Sequence, residues 1–375
     1  MQGRRIIDSL YSFLMPLLAI TAALIVAAVM LFFLDASPID AYEALYDGSL
    51  GNTNSIAETL VKATPLIFVG IGICVAFRGG VINIGGEGQM IAGAVAGTAV
   101  ALGLDGLPSL LLITTSIVVG FIAGALWGGI AGVLKAYFDV NEILSTIMLN
   151  QIAIQLMVYL LNGVMQEPSE DGRNRIPKSS RIVEKAQLPR IDEVPFFDTL
   201  FGDTTRLHVG FLFALILAFL TFVLLWQTTL GYRIRAVGYN QDAARYAGIN
   251  VKRQMLISML LAGGFAGLAG VIQVLGLQYR LQTDGSAVDF TGNAGFNGIV
   301  AALFGGLHPA GTIPASVFFG ALLVGARNMQ RVTEVPASLI TAFNGIVVMF
   351  VVSVQIFNRR RARRRAAVQK EQSHV

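Results

Sequence analysis

The sequence predicts an all-α membrane protein with about ten transmembrane helices. Of its 375 residues, 54% are hydrophobic and only 13% are charged. The mean hydropathy of +0.67 is too high for a soluble domain, which has no way to bury so much apolar surface. The polar loops separate into basic and acidic ones, as they do in multi-pass proteins. We therefore expect one transmembrane domain over residues 1–357 and a cytoplasmic, arginine-rich tail over residues 358–375.

Ten apolar runs have roughly the 17 to 25 residues that a membrane-spanning helix needs. The runs lie at about 12–34, 59–77, 81–103, 109–134, 141–161, 208–226, 255–277, 293–307, 310–327 and 337–357. The third and the eighth are rich in glycine and interrupted. The first run has no small-residue cleavage pattern, so it is interpreted as a retained span rather than a signal peptide.

Loop charge predicts that both termini are cytoplasmic. Arg4 and Arg5 precede the first span, and the loop over residues 35–58 has five acids and no cation. The six arginines after the last span favour a cationic stop over a nucleic-acid patch. The long extracytoplasmic loop over residues 162–207 has balanced charge and four prolines, which fits a docking surface and a plain connecting loop equally well.

The cytoplasmic loop over residues 228–255 carries five cations and one acid. Asn240 can cap a helix, Asp242 lies in its first turn, and Gly248 suits a left-handed stop, so a short helix is predicted over residues 241–247. Such a helix is suited to enter a groove of a soluble partner, although an ordinary basic loop would have the same composition. The small side chains of this helix are those of Ala243, Ala244 and Ala247, which are too small to anchor a core.

Polar residues interrupt the apolar segments at three places. Within residues 77–93, five glycines fall between Gly79 and Gly88, together with Asn83, Glu87 and Gln89, which predicts a broken or re-entrant element. An acid at membrane depth indicates a functional site, but Glu87 would equally serve by capping backbone amides or by pairing with Arg78.

The second and third polar interruptions lie in the spans near residues 140–155 and 293–325. Asn141 and Glu142 fit a helix cap, whereas Asn150 and Gln151 either bond between helices or face the transport pathway. Residues 293–325 fit two half-helices, with Phe296 and Asn297 placed to stack on and hydrogen-bond a polar ring, or a tight turn between two short spans. The candidate pathway residues are Asn83, Glu87, Gln89, Asn150, Phe296 and Asn297.

Glycines at intervals of four indicate close helix packing in three spans. They are Gly120, Gly124, Gly128 and Gly132, then Gly93 and Gly97, then Gly263 and Gly267.

The residue patterns predict no catalytic or metal site. No GxxxxGK[ST] phosphate loop is present, the three histidines are scattered, and the single cysteine, Cys74, lies in an apolar run. We therefore expect that the chain is not an enzyme and binds no cofactor. If transport uses ATP, another chain must hydrolyse it.

Four motifs together resemble the permease subunits of ABC importers of the branched-chain amino acid and simple-sugar type, most of all the bacterial nucleoside permeases. The motifs are GGVINIGGEGQMIAGA at 79–94, NEILSTIMLN at 141–150, GYRIRAVGYNQDAARYAGI at 231–249 and GFNGIVAALFGGLHPAGT at 295–312. The outside loop and the arginine tail carry no part of the resemblance.

The resemblance implies ten helices in the bacterial cytoplasmic membrane and three protein partners. These are a second permease that forms a heterodimer, a cytoplasmic ATPase that binds ATP and Mg, and an extracytoplasmic substrate-binding lipoprotein. It also implies that the short helix couples to the ATPase, through Asn240, Asp242, Ala243, Ala244, Ala247, Gly248 and Ile249.

Several alternatives stay open at this point. Within the ABC class, the substrate is a nucleoside, a simple sugar or a branched-chain amino acid. A secondary transporter driven by protons or sodium would need an intramembrane ionisable cluster, for which Glu87 and Lys62 are the candidates. A scaffolding membrane subunit would tolerate the loss of Asn150 and Glu87.

Overall fold

The computed structural model describes residues 21–22, 24–33, 36–168, 176–193 and 205–334, together with six isolated residues between 342 and 353. These residues form twelve named α-helices and, among them, no named strand. The helices are α1 Pro38–Ser49, α2 Thr53–Arg78, α3 Gly86–Gly103, α4 Ser109–Phe138, α5 Glu142–Leu161, α6 Gly210–Gln227, α7 Thr229–Tyr239, α8 Gln241–Tyr246, α9 Val251–Gln273, α10 Ala287–Thr291, α11 Ala294–Phe304 and α12 Pro309–Thr333.

Six helices of the described chain are long and apolar enough to cross a membrane: α2, α4, α5, α6, α9 with its π-helical extension Val274–Gln278, and α12. They coincide with six of the ten predicted spans. The third predicted span corresponds to α3, with 18 residues, and the eighth to α11, which has only 11. At 1.5 Å per residue, α11 covers about half of the roughly 30 Å hydrocarbon layer. Most of the tenth predicted span, nearly half of the first, and the arginine tail lie outside the described residues.

The chain divides into two compact units, residues 1–55 with 321–375 and residues 56–320. In the first unit, α1 begins at the Ser37 cap and packs with the last turns of α12. The side-chain amide of Asn328 donates to the Ala44 carbonyl at 2.8 Å. The second unit contains α3 to α11, and the candidate sites described below all lie in it.

Helices α3, α4 and α9 form the centre of the second unit. Glycines on each helix let the backbones approach closely. A Cβ atom added to Gly267 of α9 would lie 2.5 Å from the Gly120 carbonyl oxygen and 2.9 Å from the Gly124 Cα atom. One added to Gly93 of α3 would collide with the Gly267 backbone. The glycine periodicity in the sequence therefore marks helix–helix contacts, as predicted.

The described part of the long loop, residues 176–193 and 205–209, packs along the ends of α4 and α9. Its backbone pairs with the segment after α9, through hydrogen bonds from Ser179 to Leu281 and from Ile182 to Tyr279. Lys178 forms an ion pair with Glu167 at 2.8 Å, and its ammonium lowers the pKa of that carboxyl. These contacts make the described loop an ordered cap on the bundle.

Candidate functional site

The loop between α6 and α9 contains the short helix that the sequence predicts. The Asn240 side-chain oxygen accepts from the amides of Asp242 and Ala243, both at 3.0 Å, and so caps α8. The helix ends one residue earlier than predicted, with Ala247 as its C-cap. Gly248 then takes the left-handed conformation, with φ of +78°. Capping chemistry, which is local in sequence, is enough to define this element.

The three alanines of the α8 region differ in exposure, although the sequence treats them as equivalent small side chains. Ala243, Ala247 and Gly248 are exposed, whereas Ala244 is buried among Val237, Val251 and other residues of the same chain. Ala244 therefore fixes α8 to the permease, and its side chain is not part of the outward surface. The half-buried Ile249 packs against the same cluster. The surface left for a partner consists of Asn240, Asp242, Ala243, Ala247 and Gly248, beside the fully exposed Tyr246.

A cation–aromatic cluster connects the neighbouring helix α7 to the rest of the bundle. The guanidinium groups of Arg235 in α7 and Arg78 in α2 lie 5.7 Å and 5.4 Å from the centre of the Trp226 ring. Arg78 also donates from Nε to the Leu307 carbonyl at 3.1 Å, and the His308 ring packs 4.5 Å from Trp226. Sequence reasoning missed this cluster, because its members are far apart along the chain. It links the loop that bears α8 to the turn between α11 and α12.

Three of the candidate pathway amides are engaged with the start of α3. The side chains of Asn83 and Gln89 bond each other twice, each bond at 3.0 Å, across the non-helical segment that precedes Gly86. Asn150 of α5 accepts from the Gly88 amide at 2.8 Å and donates to the Ile84 carbonyl at 3.0 Å. All three side chains are buried. Asn83, which also accepts from the Gly85 amide, and Asn150 satisfy backbone groups that helical bonding leaves unpaired between α2 and α3, and Gln89 holds the Asn83 side chain.

Glu87 joins α3 to the half-length helix α11. One carboxyl oxygen accepts from the Phe296 amide at 3.2 Å, and the Thr291 side chain and the Gly295 amide lie beside the carboxyl. The N-cap residue of α11, Asn293, makes no side-chain capping bond of its own. An acid is favoured at a helix N-terminus, so Glu87 caps α11 from another helix. The alternative ion pair with Arg78 is not formed, since that guanidinium bonds the carbonyls of Leu307 and Gly306.

Gly295 and Thr291 also take part in the contact between Glu87 and α11, and the sequence did not identify either as a candidate site residue. A Cβ atom added to Gly295 would lie 2.5 Å from the Glu87 amide nitrogen, so only glycine permits the approach of α11 to α3. Thr291 ends α10, one turn before α11. Phe296, by contrast, is 46% exposed, and Asn297 is half-buried. Of the six candidate pathway residues, only Phe296 is exposed in this structure.

Replacing Glu87 by alanine is expected to destabilise the protein. The change removes the acceptor of the part-buried hydrogen bond from the Phe296 amide, which costs about 1–3 kcal/mol. Glu87→Gln keeps a side-chain oxygen at the same place and should retain most of the stability. The measurement is the thermal unfolding midpoint of the purified protein in mild detergent. Equal midpoints for the native protein and Glu87→Ala would contradict the capping role.

The family model and several relatives that match this chain are permease components of transport systems. Residues 55–352 match the family described as branched-chain amino acid transport system / permease component. The chain is 36% identical over 340 residues to the guanosine ABC transporter permease protein NupP of Bacillus subtilis, covering 91% of this chain and 93% of the relative. It is 34% identical over 365 residues to the glucose ABC transporter permease protein TsgB13 of Haloferax volcanii, covering 96% and 92%.

A third relative is the nucleoside ABC transporter permease protein NupB of Lactococcus lactis, 31% identical over 338 residues, or 90% of each chain. The chain also matches the guanosine ABC transporter permease protein NupQ of B. subtilis at 29% identity and the nucleoside ABC transporter permease protein NupC of L. lactis at 30% identity. No solved structure gives a significant match to the chain. The relatives, together with the six long apolar helices, make the chain a multi-pass membrane protein.

Proposed function

Because the chain belongs to the family of permease components of branched-chain amino acid transport systems, we propose that it is the transmembrane subunit of an ABC importer for nucleosides. The observation that carries the proposal is the similarity to a guanosine permease and a nucleoside permease over at least nine tenths of the chain. The motifs around Glu87 and Asn150, on which the resemblance to nucleoside permeases depends, are also the segments that meet at the start of α3.

The chemistry of the helices agrees with a neutral, ring-bearing substrate. Helix α5 carries amides and no charged side chain after Glu142, and the exposed Phe296 provides an aromatic face. A branched-chain amino acid would require partners for both its ammonium and its carboxylate. A simple sugar is the second candidate, because the glucose permease protein of H. volcanii is similar over nearly the whole chain.

The proposed importer contains three further proteins in the bacterial cytoplasmic membrane or at its surface. A second permease completes the pathway, and the paired guanosine and nucleoside permeases of the relatives support this heterodimer. A cytoplasmic ATPase binds ATP and Mg and hydrolyses the ATP, so the permease itself is not an enzyme. An extracytoplasmic lipoprotein delivers the substrate, and selectivity resides largely in it.

In the proposed mechanism, transport proceeds by alternating access. Closure of the ATPase moves α8, which Ala244 holds to the bundle. The motion reaches α7 and then, through Arg235, Trp226 and Arg78, the turn that connects α11 to α12. Because Glu87 ties the other end of α11 to α3, displacement of α11 changes the surroundings of the candidate pathway residues.

The test is nucleoside uptake by cells that express the complete transporter, compared with cells that lack only this chain. We expect ATP-dependent uptake of labelled guanosine that excess unlabelled nucleoside inhibits and excess glucose or leucine does not. Competition by glucose alone would favour the sugar candidate. Uptake that persists after ATP depletion and collapses with an uncoupler would instead indicate a secondary transporter, and would overturn the proposal.

A further inference from the structure

Helix α5 carries two amide side chains on the face that it turns away from the protein. Its buried residues, among them Thr146, Asn150 and Met157, form one face. Gln151 and Gln155 are one helical turn apart on the opposite, exposed face. Neither glutamine side chain hydrogen-bonds another residue in the part of the chain that the structure describes.

The depth of these amides makes a lipid environment unfavourable. Helix α5 has 20 residues and is one of the six candidate spans, so its length matches the hydrocarbon layer. Gln151 is the tenth residue of the helix and Gln155 the fourteenth, which places them near the middle and in the second half of the layer. An amide that faces lipid there has no hydrogen-bond partner. The two glutamine side chains therefore need a polar partner that the described part of the chain does not supply.

Two hydrogen bonds bring α5 and the N-terminus of α11 to successive residues of α3. Asn150, next to Gln151, accepts from the Gly88 amide at 2.8 Å, and Phe296 donates to the neighbouring residue Glu87 at 3.2 Å. The residue before Gln151 and the residue that bears the exposed Phe296 ring thus both contact the start of α3. An aromatic face and neutral amides suit a planar, uncharged ring with polar edges.

We propose that Gln151 and Gln155 line the path of the transported substrate and hydrogen-bond the polar edge of a nucleobase. An amide carries both donors and an acceptor, so it pairs with the N–H and carbonyl groups of a base without any charge. The inference rests on the proposed function for its ligand. It goes beyond that function by assigning the substrate contact to the exposed face of α5.

The composition of the face argues against close packing of a second permease on it. Helices that pack tightly in this chain use glycine, as α3, α4 and α9 do. The exposed face of α5 contains no glycine or alanine and consists of long side chains. Its members besides the two glutamines include Leu144, Ile147, Met148, Ile152, Leu156 and Tyr159.

The experiment uses the complete transporter with the double variant Gln151→Leu/Gln155→Leu, which keeps side-chain size and removes the amides. Leu156→Met, on the same exposed face, is the matched control. The readouts are co-purification of the second permease, basal ATP hydrolysis and ATP-driven guanosine uptake. We expect an intact complex with unchanged basal hydrolysis, and uptake that falls about tenfold or more in the double variant only.

Unchanged uptake in the double variant would overturn the inference, and so would loss of the second permease from the purified complex, which would make the face an interface between subunits. Failure of the native complex to import any nucleoside is a separate result. It would overturn the proposed function and the nucleobase as ligand. The two failures are distinguished because one appears in the native complex and the other only in the variant.

Discussion

Replacing Gly248 by aspartate is expected to abolish ATP-driven transport while the permease still folds. Gly248 has φ of +78°, a conformation that aspartate and asparagine tolerate better than other side chains, and an added Cβ would meet nothing within 4 Å. The fold of this chain therefore offers no obstacle to the new side chain. The carboxylate would, however, enter the surface that we assign to the ATPase groove, where an unpaired charge is costly. Uptake should fall more than tenfold, the factor that corresponds to about 1.4 kcal/mol.

The matched control for this prediction is Gly248→Asn, which has the same shape and the same tolerance of the left-handed backbone but no charge. It should keep substantially more transport than the aspartate variant. ATP hydrolysis and uptake are measured side by side in proteoliposomes that contain the whole complex. Normal coupled uptake by the Gly248→Asp variant would contradict the proposed role of this loop in coupling ATP hydrolysis to transport.

Replacing Gly267 by alanine is expected to destabilise the contact between α9 and α4. The new Cβ atom would lie 2.5 Å from the Gly120 carbonyl oxygen and 2.9 Å from the Gly124 Cα atom. Both neighbours are backbone atoms, so α9 and α4 must separate. Overpacking of this kind costs about 1–3 kcal/mol. The thermal unfolding midpoint in detergent should fall clearly, and the amount of folded protein recovered from the membrane should fall with it.

Gly103→Ala provides the matched control, because a Cβ atom added at the end of α3 has nothing within 4 Å. The same substitution there should leave the midpoint unchanged or raise it slightly, since alanine favours the helix. Equal behaviour of the two variants would contradict the account of glycine-mediated packing.

Local chemistry explains which parts of this structure the sequence predicts well. The α8 helix depends on Asn240 as a cap and Gly248 as a stop, both adjacent to it, and the structure confirms both roles. Likewise, Asn141 caps α5 through the amides of Ile143 and Leu144, as its place before that helix predicts. The glycine periodicity identified packing faces, although only the structure shows that Gly124 meets Gly263 and Gly267.

The parts that sequence reasoning left open depend on contacts between distant residues. The N-terminus of helix α11 is capped by Glu87, more than 200 positions away, and apolar content alone does not reveal this contact. For the same reason, Ala244 resembles Ala243 and Ala247 in the sequence, yet it is buried against its own chain. The hydrogen bonds of Asn83, Gln89 and Asn150 hold the non-helical segment between α2 and α3, and they too join residues that are apart in the sequence.

The central claim is that this chain works as one subunit of an ATP-driven importer, with α8 as its contact to an ATPase. Affinity purification of the chain from its native membrane in mild detergent, followed by identification of the proteins that accompany it, tests that claim most directly. We predict that an ABC ATPase and a second permease co-purify, and that an extracytoplasmic lipoprotein of the same system binds a nucleoside. A chain that purifies alone, and is active alone, would contradict the account.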